Sequence, residues 1–391
     1  MNAASAAFIL WKVLLITITK HFQEVEDPRV ERGKLHNLLD IIILSICASV
    51  GGANSYDEIE LFGNTHEEWF KKILALPNGI PSHDTLDRVF SRLDPEEFRT
   101  AFLNWTKEIT GILKDVIAID GQTHRGARKV DQIKSPIHMV SAWATGLKIV
   151  LAQVKTNEKS NEITAIPEVL KLLEIKGCII TIDAMGCQQK IAQQIIDQKG
   201  DYAFGLKGNQ GTSLTAVEKF FSKISDEKCE KFSSVDKGHG RVETREYFST
   251  DANLVPDLKD WPGLQSVIKV LSTRYICAKD TTSIETRFYL SSLKAKNISE
   301  ISNAIRSHWG IENSLHHTLD VTFRQDASRV RMGNGPENFG LLRHFAMNIL
   351  RGAPNARRGN PSKKLKRMRA AMDIKYLEEV LKNGNVGTVT L

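Results

Sequence analysis

The 391-residue sequence is poor in cysteine: it has five, which are scattered, odd in number and never spaced as Cys-x-x-Cys. This pattern excludes a disulfide framework and a thiolate zinc site, and it is typical of a reducing cytoplasm. Long apolar runs are also missing. The most apolar run near the start, residues 8–18, is interrupted by Lys12 and is shorter than the roughly 20 residues that a spanning helix needs. We therefore predict no membrane span and no signal peptide, and we interpret this run as the first helix of the fold.

Internal repeats are absent, and so are low-complexity segments other than a basic stretch near the C-terminus. Nine lysines and arginines lie between Arg351 and Lys375, against Asp373 alone. This stretch has a charge of +8 in a chain whose net charge is +7. Such local basicity is typical of a polyanion-binding tail, although a solvated or disordered terminus is the plain alternative. The tail residues that we expect to bind are Lys363, Lys364, Lys366 and Arg367.

One stretch is rich in histidine and acidic residues: SHWGIENSLHHTLDVTF, residues 307–323. In it His308, Glu312, His316 and Asp320 recur every four residues, a spacing that drifts around an α-helix by about 40° per step. The stretch has no cysteine and no HExxH spacing, so it does not favour a self-contained zinc site. Whatever site Glu312 serves must be completed from elsewhere in the chain.

The chain changes character near residue 110. Residues 20–110 have helical periodicity and form either a DNA-binding head or a packing or dimerisation surface. From residue 116 the pattern predicts strand, strand, strand, helix, strand, helix, strand, which indicates an α/β core. About 85 residues with strand-like pieces follow, and after them comes the helix that contains Glu312.

Two of the predicted strands, VIAID and CIITID, each end in an aspartate, Asp120 and Asp183. The carboxyl ends of strands are where α/β sheets bind ligands, although either aspartate alone is also a common helix cap or turn former. Glu312 adds a third carboxylate on a helix that should pack on the same sheet. Three carboxylates without thiolates favour magnesium, or manganese in its place, over zinc. Paired ions of this kind support in-line displacement at phosphorus, so the sequence predicts metal-assisted phosphodiester chemistry and a fold that the metal stabilises.

At this point the residues resemble a known family, the H-repeat-associated subgroup of bacterial insertion-sequence DDE transposases. The likeness runs from about residue 20 to 381, and it lies in AIDGQTHRGA, KSNEITAIPEVL, TIDAMGCQ, DYAFGLKGNQ, GHGRVETR, SHWGIENSLHHTLDVTF and GNGPENFGLLRHFAMNIL, and in EDPR, HNLLDI and NGIPSHDTLDRVFSRLD near the start. It implies that Asp120, Asp183 and Glu312 bind the catalytic metals. It also implies the substrate, double-stranded DNA with terminal inverted repeats that is cleaved and joined to target DNA by a cytoplasmic homo-oligomer.

The resemblance implies a fold as well: a ribonuclease H-like mixed sheet with flanking helices, a helical N-terminal region and a β-rich insertion before the last catalytic helix. The expected divisions are a helical region at 1–110, the first part of the core at 111–207, the insertion at 208–295, the end of the core at 296–350 and a basic tail at 351–391.

Further residues are expected to contact DNA. Lys207, Asn209 and Gln210 follow the fifth strand and suit phosphate or base contacts. His239 and Arg241 lie in GHGR, where a plain hairpin turn is the alternative, and Arg306 and His308 precede Glu312. For His308 the alternative is a packing role. Asn313 and His316 flank Glu312 and are expected to support the metal site, with packing again as the alternative. Trp143 and Trp309 are interpreted as core residues rather than stacking platforms.

Three positions depart from the subgroup pattern: Gln122 stands where a lysine is usual, His317 where a tryptophan is usual and Gln325 where a glutamate is usual. The acidic residues are intact, which predicts metal binding, whereas Gln122 is expected to weaken a phosphate contact. Two alternatives stay open from the sequence: a metal-dependent nuclease that does not join strands, and an inactive DNA-binding remnant of a transposase.

Overall fold

A computed structural model describes residues 16–124, 137–156, 162–238, 240–354 and 361–384. A nine-stranded mixed sheet forms its centre, with strand order β3-β2-β1-β4-β5-β9-β8-β7-β6. The strands are β1 (Val116–His124), β2 (Ile137–Ala144), β3 (Ile149–Lys155), β4 (Ile179–Ile182), β5 (Asp201–Leu206), β6 (Glu230–Gly238), β7 (Arg241–Asp251), β8 (Ser266–Ile276) and β9 (Thr281–Ser291).

The first five strands follow the predicted order, with helices between β3 and β4 and between β4 and β5. Strand β1 pairs antiparallel with β2 and parallel with β4, and β4 pairs parallel with β5. Strand β4 and the first four residues of β1 are buried throughout. Helices cover both faces of these strands, and strands covered on both faces are near-continuous apolar runs, which is why the sequence made them recognisable.

The predicted β-rich insertion continues the same sheet instead of forming a separate layer. Strand β9 pairs antiparallel with β5, and β8, β7 and β6 follow as an antiparallel meander. The strand-like pieces of this stretch are RVETREYFS, LQSVIKVLSTRYICA and ETRFYLSSL, which coincide with β7, β8 and β9, whereas none of them coincides with β6. Nearly every residue of β6 is exposed, so the strand lacks the apolar alternation by which half-buried strands are recognised.

Helices surround the sheet. They are α1 (16–22), α2 (Leu38–Val50), α3 (Tyr56–Thr65), α4 (Glu67–Phe70), α5 (His83–Arg92), α6 (Pro95–Thr110), α7 (Glu162–Lys171), α8 (Gln189–Asp197), α9 (Gly211–Phe221), α10 (Ile298–Gly310), α11 (His317–Val321), α12 (Gly335–Arg351), α13 (Lys363–Met372) and α14 (Ile374–Gly384). A π-helical segment, Ile311–His316, joins α10 to α11.

The N-terminal helices share a core with the C-terminal half of the chain. Helix α12 packs against α2, α5 and α6 and also against β3. Phe345 on α12 lies at the centre, with its ring 4.7 Å from those of Phe102 and Trp105 and 5.3 Å from that of Phe22. The described helices of this region therefore pack against the rest of the fold.

The basic segment differs from the expected tail. Its described part forms α13 and α14, which pack against α2 and α12. Lys366 is 7% exposed and donates to the carbonyl of Ala353, while Arg367 is 3% exposed. The guanidinium of Arg367 donates to four oxygen acceptors inside the protein, the carbonyls of Ser49, Ala53 and Thr322 and the side chain of Asn54. These two cations are thus occupied within the fold, whereas Lys364 is exposed and Lys363 is half-buried.

One helical stretch, Glu31–Val50, is long and apolar enough to cross a membrane by length and composition, and 67% of its most apolar window is buried inside the protein. Buried core helices meet the same criteria, and α2 is buried along almost its whole length.

Candidate active site

Asp120 and Asp183 lie side by side at one edge of the sheet. Strands β1 and β4 are parallel, and Ile119 is paired with Ile182, so the next residue on each strand is the aspartate. Asp120 Oδ1 accepts a hydrogen bond of 2.9 Å from the Gly121 N–H. Asp183 Oδ1 accepts from the Met185 and Gly186 N–H groups and caps a short 3₁₀ turn. Each aspartate thus has one oxygen bound to backbone; within the described part of the chain, the other oxygen of Asp120 has His316 Nδ1 as a neighbour at 3.5 Å.

Glu312 approaches this edge from the face of the sheet covered by α10. It lies in the π-helical segment and lines a cleft together with Asp183, Lys207, His308 and Trp309. Side chains alternate along a strand, and Asp120 points to the same face as Gln122, whose amide donates to both oxygens of Asp320 on α11 at 2.9 Å. The three predicted acidic residues therefore face one region of the molecule.

Several carboxylates lie close together in this region, and their negative charges repel one another. Burial first, and then the charges of Glu162, Asp183 and Glu312, raise the pKa of Asp120 to about 7. Burial also raises the pKa of Asp183, and Glu162 adds to the rise, while backbone N–H groups and Lys207 oppose it. Both shifts have the sign expected for carboxylates that share a site without a counter-ion.

The donors fit a hard divalent cation in their chemistry. Asp120, Asp183 and Glu312 supply only carboxylate oxygens, the ligands that magnesium and manganese prefer. Among the described residues, no three histidine, cysteine, aspartate or glutamate side chains already lie in a metal-holding cluster. The negative charges of Glu162, Asp183 and Glu312, which add to the effect of burial in raising the pKa of Asp120, would favour a cation at this position.

A fourth carboxylate, Glu162, also lies at this edge and was not identified from the sequence. Its Oε1 lies 2.8 Å from His138 Nε2 on β2, and among the neighbouring carboxylates its charge contributes most to the raised pKa of both aspartates. Glu162 begins the helix that follows β3. An acidic residue in a first helical turn is so common that nothing in the sequence distinguished it.

The residues expected to touch DNA after β5 have different surroundings. Lys207 is exposed in the cleft that contains Asp183 and Glu312. Asn209 donates to the Ala184 carbonyl at 2.6 Å, and Gln210 donates to the Cys187 carbonyl at 3.0 Å. These two amides hold the loop that follows Asp183, so their side-chain N–H groups are already used within the protein.

The two histidines that flank Glu312 are uncharged at neutral pH. Burial lowers the pKa of both His308 and His316 to about 4. His308 Nδ1 lies 3.1 Å from the Thr181 hydroxyl on β4, and His316 Nδ1 lies 3.5 Å from Asp120 Oδ2. This geometry agrees with the packing alternative for His308 and places His316 beside the acidic residues.

An arginine-rich groove of about 360 Å³ adjoins the cleft, and Arg287 and Trp309 line both. Arg241 and Arg306, two of the predicted DNA contacts, lie in it, and Asn313 lines its wall. The full lining is Arg241, Glu243, Arg245, Ser272, Arg274, Glu285, Arg287, Arg306, Trp309 and Asn313. His239, another predicted contact, lies outside the described residues.

Trp143 and Trp309 were both interpreted as core residues, and this is correct for one of them. Trp143 is 1% exposed and belongs to the core. Trp309 is 38% exposed, and the Arg287 guanidinium lies 5.4 Å from its ring centroid. The interpretation of Trp309 as a core residue is therefore wrong, because α10 ends at the rim of the cleft.

Two of the three departures from the subgroup pattern contact each other. The Gln325 amide donates to Gln122 Oε1 at 3.2 Å, while Gln122 itself donates to Asp320. Gln122 is therefore engaged in a link between β1 and α11, and the expected loss of a phosphate contact does not follow from its position.

Comparison with known proteins gives the family. The family model described as "Transposase DDE domain" matches residues 112–349, and "DDE_Tnp_1-associated" matches residues 19–106. The chain is 43% identical to "Putative transposase YncI" of Escherichia coli O157:H7 over 93% of this chain and 94% of that protein. It is 40% identical to "H repeat-associated putative transposase YhhI" of Escherichia coli K12 over 93% of this chain and 97% of that protein.

Among solved structures, the piggyBac transposase synaptic complex with hairpin DNA aligns with a TM-score of 0.43 and 11% identity, over 95% of this chain and 80% of that one. The DDE domain match covers well over half of the sequence, and the relatives match along nearly their whole length. The chain therefore belongs to the DDE transposase family, within the group of H repeat-associated transposases.

Proposed function

We propose that this chain is an enzyme that cleaves DNA at the ends of an insertion sequence and joins the freed ends to target DNA. Asp120, Asp183 and Glu312 hold the divalent metal ions of this reaction. The observation that carries the proposal is that Asp120 on β1 and Asp183 directly after β4 occupy neighbouring positions on paired parallel strands, with Glu312 in the cleft that Asp183 also lines.

Magnesium is the proposed ion, and manganese can substitute for it, because all three proposed ligands are carboxylates. When bound, such ions activate an attacking oxygen and stabilise a leaving oxygen in an in-line displacement at phosphorus. The chain's own residues supply the surroundings. The backbone N–H groups that bind Asp120 and Asp183 fix one oxygen of each, and neutral His316 lies beside Asp120 without adding charge.

The sheet supports a ribonuclease H-like core. Strands β3, β2 and β1 form an antiparallel meander, and β4 and β5 continue it in parallel with β1. We place this core at 111–207 and 296–350, interrupted by the β-rich insertion at 208–295. The helical region at 1–110 and the basic segment at 351–391 complete the chain as supporting parts whose described helices pack around α12.

DNA is proposed to pass from the cleft into the arginine-rich groove. Five arginines and two glutamates line the groove, which opens beside Glu312 across Trp309. Lys207 at one end and Arg241 and Arg306 at the other are the proposed phosphate contacts, together with exposed Lys364 on α13. Arginine and lysine contacts to phosphate position a duplex without reading its sequence. Recognition of terminal inverted repeats by a homo-oligomer in the cytoplasm completes the proposal.

The test uses the full chain and a DNA duplex that contains one end of the sequence flanking its own gene. Wild-type protein with Mg²⁺ should nick this duplex and, given a pre-cut end, should join it to a second DNA. Asp183→Asn should abolish both reactions while leaving duplex binding in EDTA intact. Cleavage without joining would identify a nuclease, and absence of cleavage in wild type and variant alike would identify an inactive DNA-binding protein; either result would overturn the proposal.

A further inference from the structure

Residue 121, next to Asp120, is a glycine, and Glu162 occupies the space where a side chain at this position would lie. Gly121 follows Asp120 on β1, and a β-carbon there would lie 2.2 Å from Glu162 Oε1 and 2.5 Å from His138 Nε2. A contact of that length is impossible for any side chain, so the absence of one at residue 121 lets a carboxylate approach the backbone beside Asp120. Since side chains alternate along a strand, Glu162 comes from the face opposite to the one that Asp120 points to.

The orientation of Glu162 is fixed by a chain of hydrogen bonds. Glu162 Oε1 lies 2.8 Å from His138 Nε2, and the other ring nitrogen, Nδ1, lies 2.9 Å from the hydroxyl of Thr123. Thr123 and His138 are a cross-strand pair of β1 and β2. The glutamate side chain is 17% exposed and the histidine 26%, so the pair is largely withdrawn from solvent. One carboxylate oxygen is thereby held, and within the described residues no hydrogen bond is seen to the other.

The position of Glu162 close to other carboxylates is electrostatically unfavourable, and pairing with His138 alone does not require that position. Glu162 Oε1 lies 2.2 Å from the β-carbon position of Gly121, the residue next to Asp120, and like charges at short range in a buried site repel each other strongly. A cation shared with the aspartates would remove that repulsion. The glutamate then has a reason to be held rigidly toward them.

We propose that Glu162 is a fourth metal-holding carboxylate of the active site, opposite Glu312, and that His138 is the residue that positions it. The proposal rests on the proposed function, since it concerns the same metal ions. It assigns the first turn of α7 to the site, with Gly121 as the opening through which the carboxylate reaches the backbone beside Asp120.

The test measures Mn²⁺ binding by the intact chain, from the loss of the free Mn²⁺ signal in electron paramagnetic resonance. Glu162→Gln keeps the size of the side chain and an oxygen for the His138 hydrogen bond but removes the charge. It should weaken Mn²⁺ binding at least about tenfold, the scale of losses seen when groups around a metal are removed, and should abolish cleavage. His138→Ala should weaken Mn²⁺ binding less, because the carboxylate is present but less well oriented.

The matched control is Glu168→Gln on the same helix, since Glu168 is 56% exposed and pairs with Lys171 on the surface. It should bind Mn²⁺ like the wild type. Without metal, Glu162→Gln should melt at the wild-type temperature or above, because a repulsive charge is lost; a lower melting temperature together with unchanged Mn²⁺ binding would mark a purely structural residue. Glu162→Asp, which keeps the charge, is the second variant and should retain part of the Mn²⁺ affinity.

Asp183→Asn separates the two proposals. If Asp183→Asn loses Mn²⁺ binding and Glu162→Gln retains wild-type affinity, the inference about Glu162 is wrong and the proposed function stands. If Asp183→Asn binds Mn²⁺ as tightly as the wild type does, the metal site itself is misplaced and both proposals fail. Loss of binding in both variants, with Glu168→Gln unaffected, supports the fourth carboxylate.

Discussion

Replacing Arg367 by alanine tests whether the basic segment near the C-terminus serves the fold or binds DNA. The guanidinium donates five hydrogen bonds, to the carbonyls of Ser49, Ala53 and Thr322 and to the side chain of Asn54, at distances of 2.6 to 3.1 Å. It also lies 4.1 Å from the ring centroid of Phe323. One side chain thus joins the end of α2, the loop before α3 and the end of α11.

The size of the effect follows from these contacts. A hydrogen bond to a charged group contributes roughly 1.5–3 kcal/mol, but bonds that share one donor group are not additive. Removing the guanidinium leaves several buried carbonyl acceptors without a partner, and each such group costs about 1–3 kcal/mol. We therefore expect Arg367→Ala to lower the free energy of unfolding by about 3–5 kcal/mol, a large part of the stability of an ordinary domain.

Urea unfolding followed by tryptophan fluorescence measures this loss, and Lys364→Ala is the control on the same helix. Lys364 is exposed, so its removal should change the free energy of unfolding by no more than about 0.5 kcal/mol. Lys364→Ala should instead weaken duplex binding and reduce its dependence on salt. If Arg367→Ala unfolds at the wild-type urea concentration and mainly weakens DNA binding, the structural role assigned to Arg367 is wrong.

Three further outcomes are expected. Mg²⁺ at about 100 times its dissociation constant should stabilise the wild type by about 2.7 kcal/mol and leave Asp183→Asn unchanged, as measured by thermal melting with and without EDTA. Gly121→Ala should push Glu162 out of place, since the added carbon would lie 2.2 Å from Oε1, and should lower Mn²⁺ affinity; unchanged affinity would contradict the tight approach. Burial lowers the pKa of His344 to about 3, below the unfolded value of about 6.5, so the unfolded chain binds more protons between these values and stability falls as pH drops below 6.5. His344→Phe should make that fall shallower by up to about 1.4 kcal/mol per pH unit in urea unfolding at pH 5 and pH 7.5, and an unchanged slope would refute the assignment.

The strands of the core and the two aspartates were predictable because their signals are local. VIAID and CIITID are short β-branched runs, and such runs are recognisable where a strand is buried on both faces. Asp183 directly follows β4, as predicted, whereas β1 continues for four residues beyond Asp120, so the predicted end of that strand is wrong; the two aspartates nevertheless lie side by side because Ile119 pairs with Ile182. Because β1, β2 and β3 are successively antiparallel, β3 runs in the same direction as β1. The helix between β3 and β4 is a crossover connection that makes β4 run in this direction too, so β1 and β4 pair in parallel.

The features that the sequence did not reveal depend on contacts between distant parts of the chain. Basic residues in KKLKRMR have the same composition whether they face solvent or backbone carbonyls, and only the packing of α13 on α2 makes Arg367 a buried donor. Glu162 differs from other first-turn glutamates only through its contact with His138, 24 residues earlier. In both cases the role of the residue depends on a contact with a distant part of the chain, and composition and periodicity do not reveal such contacts.

His308, Glu312, His316 and Asp320, which are spaced by four residues, lie on the side of their helix that faces the sheet, although this spacing does not predict it for a regular α-helix. On a regular α-helix the row would drift away from the sheet by about 40° per step. The π-helical segment Ile311–His316 has i to i+5 hydrogen bonds and more residues per turn, which turns the row back. Accordingly His308 contacts Thr181 on β4, His316 lies beside Asp120 and Asp320 contacts Gln122 on β1. The helix that contains Glu312 is therefore bound on either side of it to both aspartate-bearing strands, and this local change of helix type brings the third acidic residue to the site.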